Sequence, residues 1–541
     1  MPDHDPDETT ESLDRPDAER PPESGAHTES GADSESDAGT GRDDAGADAA
    51  TPDEPSTSDY DLTEGSLLRP LVGLSAPIVL TQLLQVVYNL VDTFWVGRLG
   101  GEAVTALSFS WPPIFALISL GGGLTLAGSV LVAQHKGAGN IDRVNEVAGQ
   151  TLAFVTLFSL LLGGVGYLLA PTFLRLIGAE PGSTVFAYSL EYMRVIFLGV
   201  WFMFGFFVFQ SLLRGWGDTR TPMYLMAVSV AVNVVLDPVF IFGFADNPLF
   251  GILGARGLEA ALLDATGFTG HGVEGAAMAT ILSRALATVP GVALLFSGHL
   301  GLSLSLGDLW LDRETVAKIV EIGYPASIEQ SSGALSYSAM TAIIAIVGPT
   351  AVAAFGICAR LTSFVFLPAV GLGMGTETAV GQNLGADRSD RAKRAVYLAL
   401  GMLTATYVFV SGAAVVWAEP IVGVFIQGAD SAPIVAIGRE FMTIVAPTFV
   451  FMGAFQVLKG CFNGAGNTRA AMIMSVTSVW GLQVLPAYLL VTTFDMGTTG
   501  AWWALAIMHV GSALIVAAWF LRGTWTESVV EEDEPSVAPA D

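Results

Sequence analysis

The stretch Ala103–Gln134, AVTALSFSWPPIFALISLGGGLTLAGSVLVAQ, contains no Asp, Glu, Lys or Arg. A helix rises 1.5 Å per residue and about 20 apolar residues cross a bilayer core, so this run is long enough to span a membrane. Four more charge-free runs follow: Val147–Leu174, Gln330–Ala359, Ala395–Ala418 and Met496–Leu521. Of the 541 residues, 52% are hydrophobic and only 14% charged, which excludes a soluble globule of this length. The chain reads as an all-α, polytopic integral membrane protein.

Hydropathy punctuated by Gly and Pro predicts twelve transmembrane helices, near 70–97, 104–133, 149–170, 185–213, 222–243 and 273–297, then 323–347, 352–381, 395–417, 434–459, 470–492 and 500–521. Connections at one end contain Arg98, Arg175 and Arg256 and little else basic. At the other end lie Lys136, Arg143, Arg214, Arg220, Arg313, Lys318, Arg388, Arg391, Lys393, Arg394, Lys459 and Arg469. Basic residues concentrate on the cytoplasmic side, which predicts a multi-pass plasma-membrane protein with both termini in the cytoplasm.

The chain is also duplicated. Ala133-Gln134-His135-Lys136-Gly137-Ala138 matches Gly381-Gln382-Asn383-Leu384-Gly385-Ala386, and Pro77 matches Pro325, both at an offset of 248 residues. Leu213-Arg214-Gly215 with Gly217-Asp218-Thr219-Arg220 recurs as Leu458-Lys459-Gly460 with Gly466-Asn467-Thr468-Arg469. Gly272-Val273-Glu274-Gly275-Ala276 recurs as Gly497-Thr498-Thr499-Gly500-Ala501, after about 23 extra residues in the first half's outer loop. Six spans per half is an even number, so the two bundles enter the membrane from the same side. They form a parallel repeat about an axis along the membrane normal, with a cavity between them. The predicted domains are a first lobe at 66–300, a linker at 301–322 and a second lobe at 323–522. Within the linker, Leu309, Val316, Ile319 and Val320 alternate with charges, which predicts an amphipathic helix over Leu309–Ile322 lying on the inner face.

The net charge of −27 resides in the tails. Residues 1–64 carry −18 and residues 523–541 carry −6, leaving −3 for the membrane part. The segment 1–65 is rich in Asp, Glu, Ser, Gly and Pro, which predicts a disordered, solvated tail; 523–541 is a second acidic tail. Excess acid and only 4 Lys among 24 basic residues suit a salt-adapted, halophilic proteome. No signal peptide is expected before the first span, since that region is acidic. The two cysteines, Cys358 and Cys461, are expected near opposite faces and unbridged, and the six histidines are too scattered for a metal cluster.

Two acids stand inside apolar helices of the first half only: Asp92 falls opposite Met340, and Asp237 opposite Leu485. A charge at the bilayer centre costs about 2.5–3.5 kcal/mol on insertion scales, so such residues mark ion or substrate pathways. Thr81, Gln85, Tyr88 and Asp92 are spaced four, three and four apart and share one helical stripe. Ser229, Asn233 and Asp237 repeat that spacing in span five, where Pro238 removes an amide donor and frees a carbonyl. Thr280 in span six sits at a similar depth. Four side chains, Asp92, Asn233, Asp237 and Thr280, are therefore expected to line one pocket that accepts H⁺ or Na⁺. Gln85 and Tyr88 belong to its surroundings. Polar residues also glue membrane helices together, but glue does not require a carboxylate. Glu329 and Glu377 are candidates for the substrate path in the second lobe, with Arg284 and Arg360 as expected partners. Pro77, upstream of Asp92 on the same helix, is the expected hinge. No GK dipeptide, HExxH or GxSxG occurs, which argues against ATP hydrolysis by a P-loop and against an intramembrane hydrolase. The chain is not expected to be an enzyme.

Tyr88–Gly97 (YNLVDTFWVG), Leu213–Pro222 (LRGWGDTRTP), Asn233–Pro238 (NVVLDP) and Gly275–Thr280 (GAAMAT) resemble the MATE (multidrug and toxic compound extrusion) transporters, in their prokaryotic DinF-like branch. The resemblance covers about residues 66–522. It implies a V-shaped pair of six-helix bundles that export organic, often cationic, compounds in exchange for H⁺ or Na⁺. It further implies a cation site in the first lobe made by Asp92, Asn233, Asp237 and Thr280, while Glu329 resembles an acid of other branches. The expected function is secondary active efflux by alternating access, by a monomer in the lipid bilayer, with small organic molecules as substrates. No cofactor, nucleic acid or metal other than Na⁺ is expected. The alternative is a flippase for lipid-linked oligosaccharides on a related fold, which calls for more basic residues within the spans than this chain has.

Overall fold

Gly100 and Gly348 stand at equivalent places in the two halves, and each adopts a positive φ, 120° and 136°, between two long helices. A side chain is strained in that region and glycine is not, so both residues serve as tight corners. The computed structural model describes residues 62–426 and 431–526. The expected tail disorder lies outside these residues, apart from the segments adjoining the membrane part.

The first half comprises α1 (Leu68–Gly97), α2 (Gly101–Gly137), α3 (Ile141–Leu176), α4 (Thr184–Trp216), α5 (Arg220–Phe242), two short helices α6 (Pro248–Ile252) and α7 (Arg256–Thr266), and α8 (Gly272–Ser297). The second half comprises α9 (Arg313–Val347), α10 (Pro349–Gly385), α11 (Ser389–Val416), the short α12 (Ala418–Gly423), α13 (Ser431–Val445), α14 (Phe449–Gly464), α15 (Thr468–Val476), α16 (Leu485–Tyr488) and α17 (Gly497–Leu521). Pro447 breaks the tenth span into α13 and α14 through a 3-10 turn at Ala446–Thr448. Turns of π-helix flank α16, over Thr477–Val484 and Leu489–Thr493. Pro77, Pro112, Pro113, Pro325 and Pro368 lie inside unbroken helices.

Each sequence-derived span coincides with a helix or with helical segments in series, and every regular element among the described residues is helical. Eleven of these helical segments are long and apolar enough to cross a membrane. The remaining one, α9, carries Glu314, Lys318, Glu321 and Glu329 along its first half. The linker differs from expectation. Instead of an in-plane helix over Leu309–Ile322, a 3-10 turn at Leu306–Leu309 is followed by α9, which runs from Arg313 through Pro325 to Val347. The reason is local: the Asp312 carboxylate accepts the Thr315 amide at 2.9 Å, an N-cap that starts the helix there. The apolar residues assigned to a membrane surface, Val316 and Ile319, form the first turns of span seven instead.

The lobes meet from mid-membrane to the basic end. Ser327 on α9 donates to Leu120 O on α2. Further along, α2 and α10 approach so closely that a Cβ on Gly137 would overlap the Gln382 carbonyl, and one on Gly385 would overlap the Gln134 carbonyl. Each glutamine side chain crosses to the other lobe. Gln134 Nε2 donates to Gly464 O at 2.9 Å, and Gln382 Nε2 to Gly215 O at 2.9 Å. Arg214 on α4 and Glu377 on α10 add an ion pair across the seam at 3.4 Å.

Candidate functional site

The first lobe gathers its acids on α1 and α5, faced by α4 and α8. Asp92 is 3% exposed, and Asn233 and Asp237 are fully buried. The four-residue spacing of α5 lets Asn233 Nδ2 donate to Asp237 Oδ1 at 2.8 Å, which turns the amide oxygen away from that bond. Tyr88 OH approaches Thr280 O at 3.3 Å and Ser283 Oγ at 3.0 Å, tying α1 to α8. The Asp92 charge acts on both Tyr88 and Asp237, so the two carboxylates share one electrostatic neighbourhood. The structure thus brings together Asp92, Asn233, Asp237 and Thr280.

Asp92 Oδ1, Asn233 Oδ1, Asp237 Oδ2 and Thr280 Oγ1 are buried without a hydrogen-bond partner among the described residues. So is the hydroxyl of Tyr192 on α4, which lies in the field of both aspartates. A buried polar group left unpaired costs about 1–3 kcal/mol, more when charged. Carboxylate, amide, hydroxyl and phenol oxygens of this kind are ligands that suit a hard cation, and each carboxylate can take a proton. All five donors are oxygens, unlike the nitrogen and sulfur ligands that transition metals prefer.

Around this cluster Arg284 differs from its expected role. Rather than pairing with Glu329 or Glu377, it lies in the first lobe, where its guanidinium donates to Gln85 Oε1 at 2.5 Å and sits 4.6 Å from the Tyr88 ring centroid. Helical spacing within one span does not reveal which helix faces it. Glu329 instead pairs with Lys459 at 2.7 Å, and Glu377 with Arg214 across the seam. Arg360 is exposed. Thr81 donates to Pro77 O at 2.8 Å, occupying a carbonyl within the α1 turn where hinging was expected. Ser229 donates to Ser283 O and holds α5 against α8. Cys358 and Cys461 are both buried and unbridged.

Sequence reading missed Tyr192 and Asn247. Asn247, fully buried between α5 and α6, donates from Nδ2 to Pro238 O at 2.8 Å and Gly243 O at 2.7 Å. It thereby caps the end of the helix that carries Asp237. Its own amide N–H is accepted by Glu259, which Arg256 holds at 2.6 Å.

The MatE family model matches residues 77–239 and 325–489, one match in each half and starting 248 residues apart. The chain belongs to the MatE family. Among its relatives, the probable multidrug resistance protein YoeA of Bacillus subtilis (strain 168) is 27% identical over 463 residues, covering 84% of this chain and 94% of that protein. A FAD transporter of Shewanella oneidensis is 25% identical over 452 residues, covering 83% and 94%. A solved structure described as the outward-facing conformation of a multidrug resistance MATE family transporter of the MOP superfamily superposes with a TM-score of 0.74 at 24% identity, covering 86% of this chain and 98% of that one. A MOP superfamily transporter from Pyrococcus furiosus gives 0.74 at 23%. The fold is that of MATE transporters, and the chain is a multi-pass membrane protein of a multidrug efflux family rather than an enzyme.

Proposed function

We propose that this MATE protein is a cation-coupled antiporter that exports small organic molecules across the plasma membrane by alternating access, with its termini in the cytoplasm and one chain as the working unit. The observation that carries the reading is the cluster of five unpartnered buried oxygens in the first lobe, set beside a second lobe that lacks both acids. H⁺ or Na⁺ entering the first lobe neutralises Asp92 and Asp237, removing the cost of two bare charges in a dry bundle. Neutralisation changes which packing of α1 and α5 is preferred, and α1, with its amide donor missing at Pro77, is the element that yields. The lobes, closed at the basic end, form the V through which substrate leaves on the opposite side. Exchange of one monovalent cation for another moves no net charge, whereas a neutral substrate adds about 2.3 kcal/mol of drive per 100 mV.

The test is efflux from vesicles under an imposed Na⁺ gradient or pH gradient, one at a time, for the parent, Asp92→Asn and Asp237→Asn. Gradient-driven efflux is expected to fall at least tenfold in both variants, with only one of the two ions driving the parent. Unchanged driven efflux in both variants would falsify the site.

A further inference from the structure

The second lobe contains a cavity of about 400 Å³ bounded by α9, α10, α13, α14, α17 and the segment from α15 into the π turn. The duplication shows what differs at this place between the two bundles. At the 248-residue offset Gln85 falls opposite Gly333. At the 225-residue offset that superposes Gly275-Ala276 on Gly500-Ala501, Arg284 falls opposite His509. In the first lobe Arg284 reaches Gln85 and covers the Tyr88 ring, so two long polar side chains and an aromatic ring meet between α1 and α8. Glycine and imidazole at the corresponding places leave that volume open. A Cβ on Gly333 would meet no atom within 4 Å.

The walls are aromatic: Tyr337, Phe355, Phe366, Phe441 and Phe455. At one side Lys459 Nζ donates to Glu329 Oε1 at 2.7 Å, and their side chains remain 20% and 13% exposed. His509, buried against α14, has Nδ1 2.7 Å from Thr448 Oγ1. Among the described residues, Glu329 and Lys459 are the Asp, Glu, Lys and Arg side chains of the lining, so with His509 neutral the cavity carries no net formal charge. A lone cation or lone anion would have to displace one partner and leave an unbalanced charge in an apolar space. A ligand bearing an adjacent amine and carboxylate answers both partners at once, its amine at Glu329 and its carboxylate at Lys459, while a ring settles among the aromatics.

We propose that this cavity is a binding site for aromatic zwitterions of amino-acid type, and, resting on the transporter reading above, a substrate site. The test is equilibrium titration of the purified full chain in lipid nanodiscs without any ion gradient. The probes are Nε-dansyl-lysine (zwitterion), its methyl ester (cation) and its Nα-acetyl derivative (anion). The zwitterion is expected to bind at least tenfold more tightly than either relative. Gly333→Trp, which projects an indole into the open space, should weaken it at least tenfold. Lys459→Met leaves Glu329 unpaired and should shift preference at least tenfold towards the ester, a gain that misfolding cannot produce. Equal affinities for the three probes, no zwitterion binding, or no shift in Lys459→Met overturns the proposal. A coupling failure at Asp92 does not touch this gradient-free titration. Lost zwitterion binding with Asp92-dependent efflux intact rejects the cavity alone.

Discussion

Tyr192 is the residue whose role the fold reveals and the sequence conceals. Its ring belongs to an aromatic-rich helix, and nothing in its spacing separates it from Phe197 or Phe204, which are purely core. Only the assembled lobe shows its hydroxyl unpartnered and under the influence of Asp92 and Asp237. If that oxygen faces a bound cation, Tyr192→Phe removes one ligand, worth about 1–1.4 kcal/mol. The expected result is an increase of about five- to tenfold in the cation concentration for half-maximal efflux, with no fall in melting temperature, since an unpaired buried hydroxyl is lost. A cation titration of efflux beside a thermal melt checks both halves of that statement. Asn233→Ala should weaken cation binding further, because it removes an oxygen and also releases Asp237 Oδ1 from its 2.8 Å bond. Asp92, Asn233, Asp237 and Thr280 were legible beforehand because a charge in an apolar helix is conspicuous and a four-residue spacing fixes a face. The partners of Arg284, Glu329 and Glu377 were not, because they lie on other helices and their distance along the chain carries no information.

At the scale of elements, the loop between α5 and α8 gains its meaning from its bonds. Its extra length was plain from the repeat, but its pinning of α5 through Asn247 was not, since a lone Asn in a loop usually satisfies only its own turn. The Arg256 guanidinium beside Glu259, together with the Asn247 amide, holds this carboxyl below its ordinary value of 4.5. A carboxyl whose folded value is depressed stabilises the fold above its ordinary range and loses that contribution as pH falls through the folded value. Glu259→Gln should therefore lower the melting temperature at pH 7. The gap from the parent should narrow below about pH 4.5 and close once the parent's own carboxyl is protonated. A gap that stays constant across this range would remove Glu259 from the account. The linker teaches a similar lesson: its apolar periodicity was visible, but the cap at Asp312 that joined it to span seven depends on one side-chain bond.

For the whole molecule, the twofold duplication was legible because Gln134 with Gly137-Ala138 recurs as Gln382 with Gly385-Ala386 at a fixed interval. The seam they build was not, since the same residues could equally have faced lipid or their own lobe. Gly137 and Gly385 now stand where any side chain meets the opposing main chain. Gly385→Val should hold the basic end apart and reduce export more than tenfold, while cation binding at the first lobe persists. A reporter cysteine at Ala133, buried beside Gly381, should become reactive to an impermeant maleimide in that variant. Cys358 and Cys461 are both buried and contribute little background. An unreactive reporter together with normal export would show that the seam tolerates the side chain.

The crossed glutamines carry a mechanical corollary. Each lobe lends one amide arm and receives one, so separating the lobes at the basic end has to break both links. On the alternating-access reading proposed above, a latch with two reciprocal arms is expected to make opening at that end cooperative instead of graded.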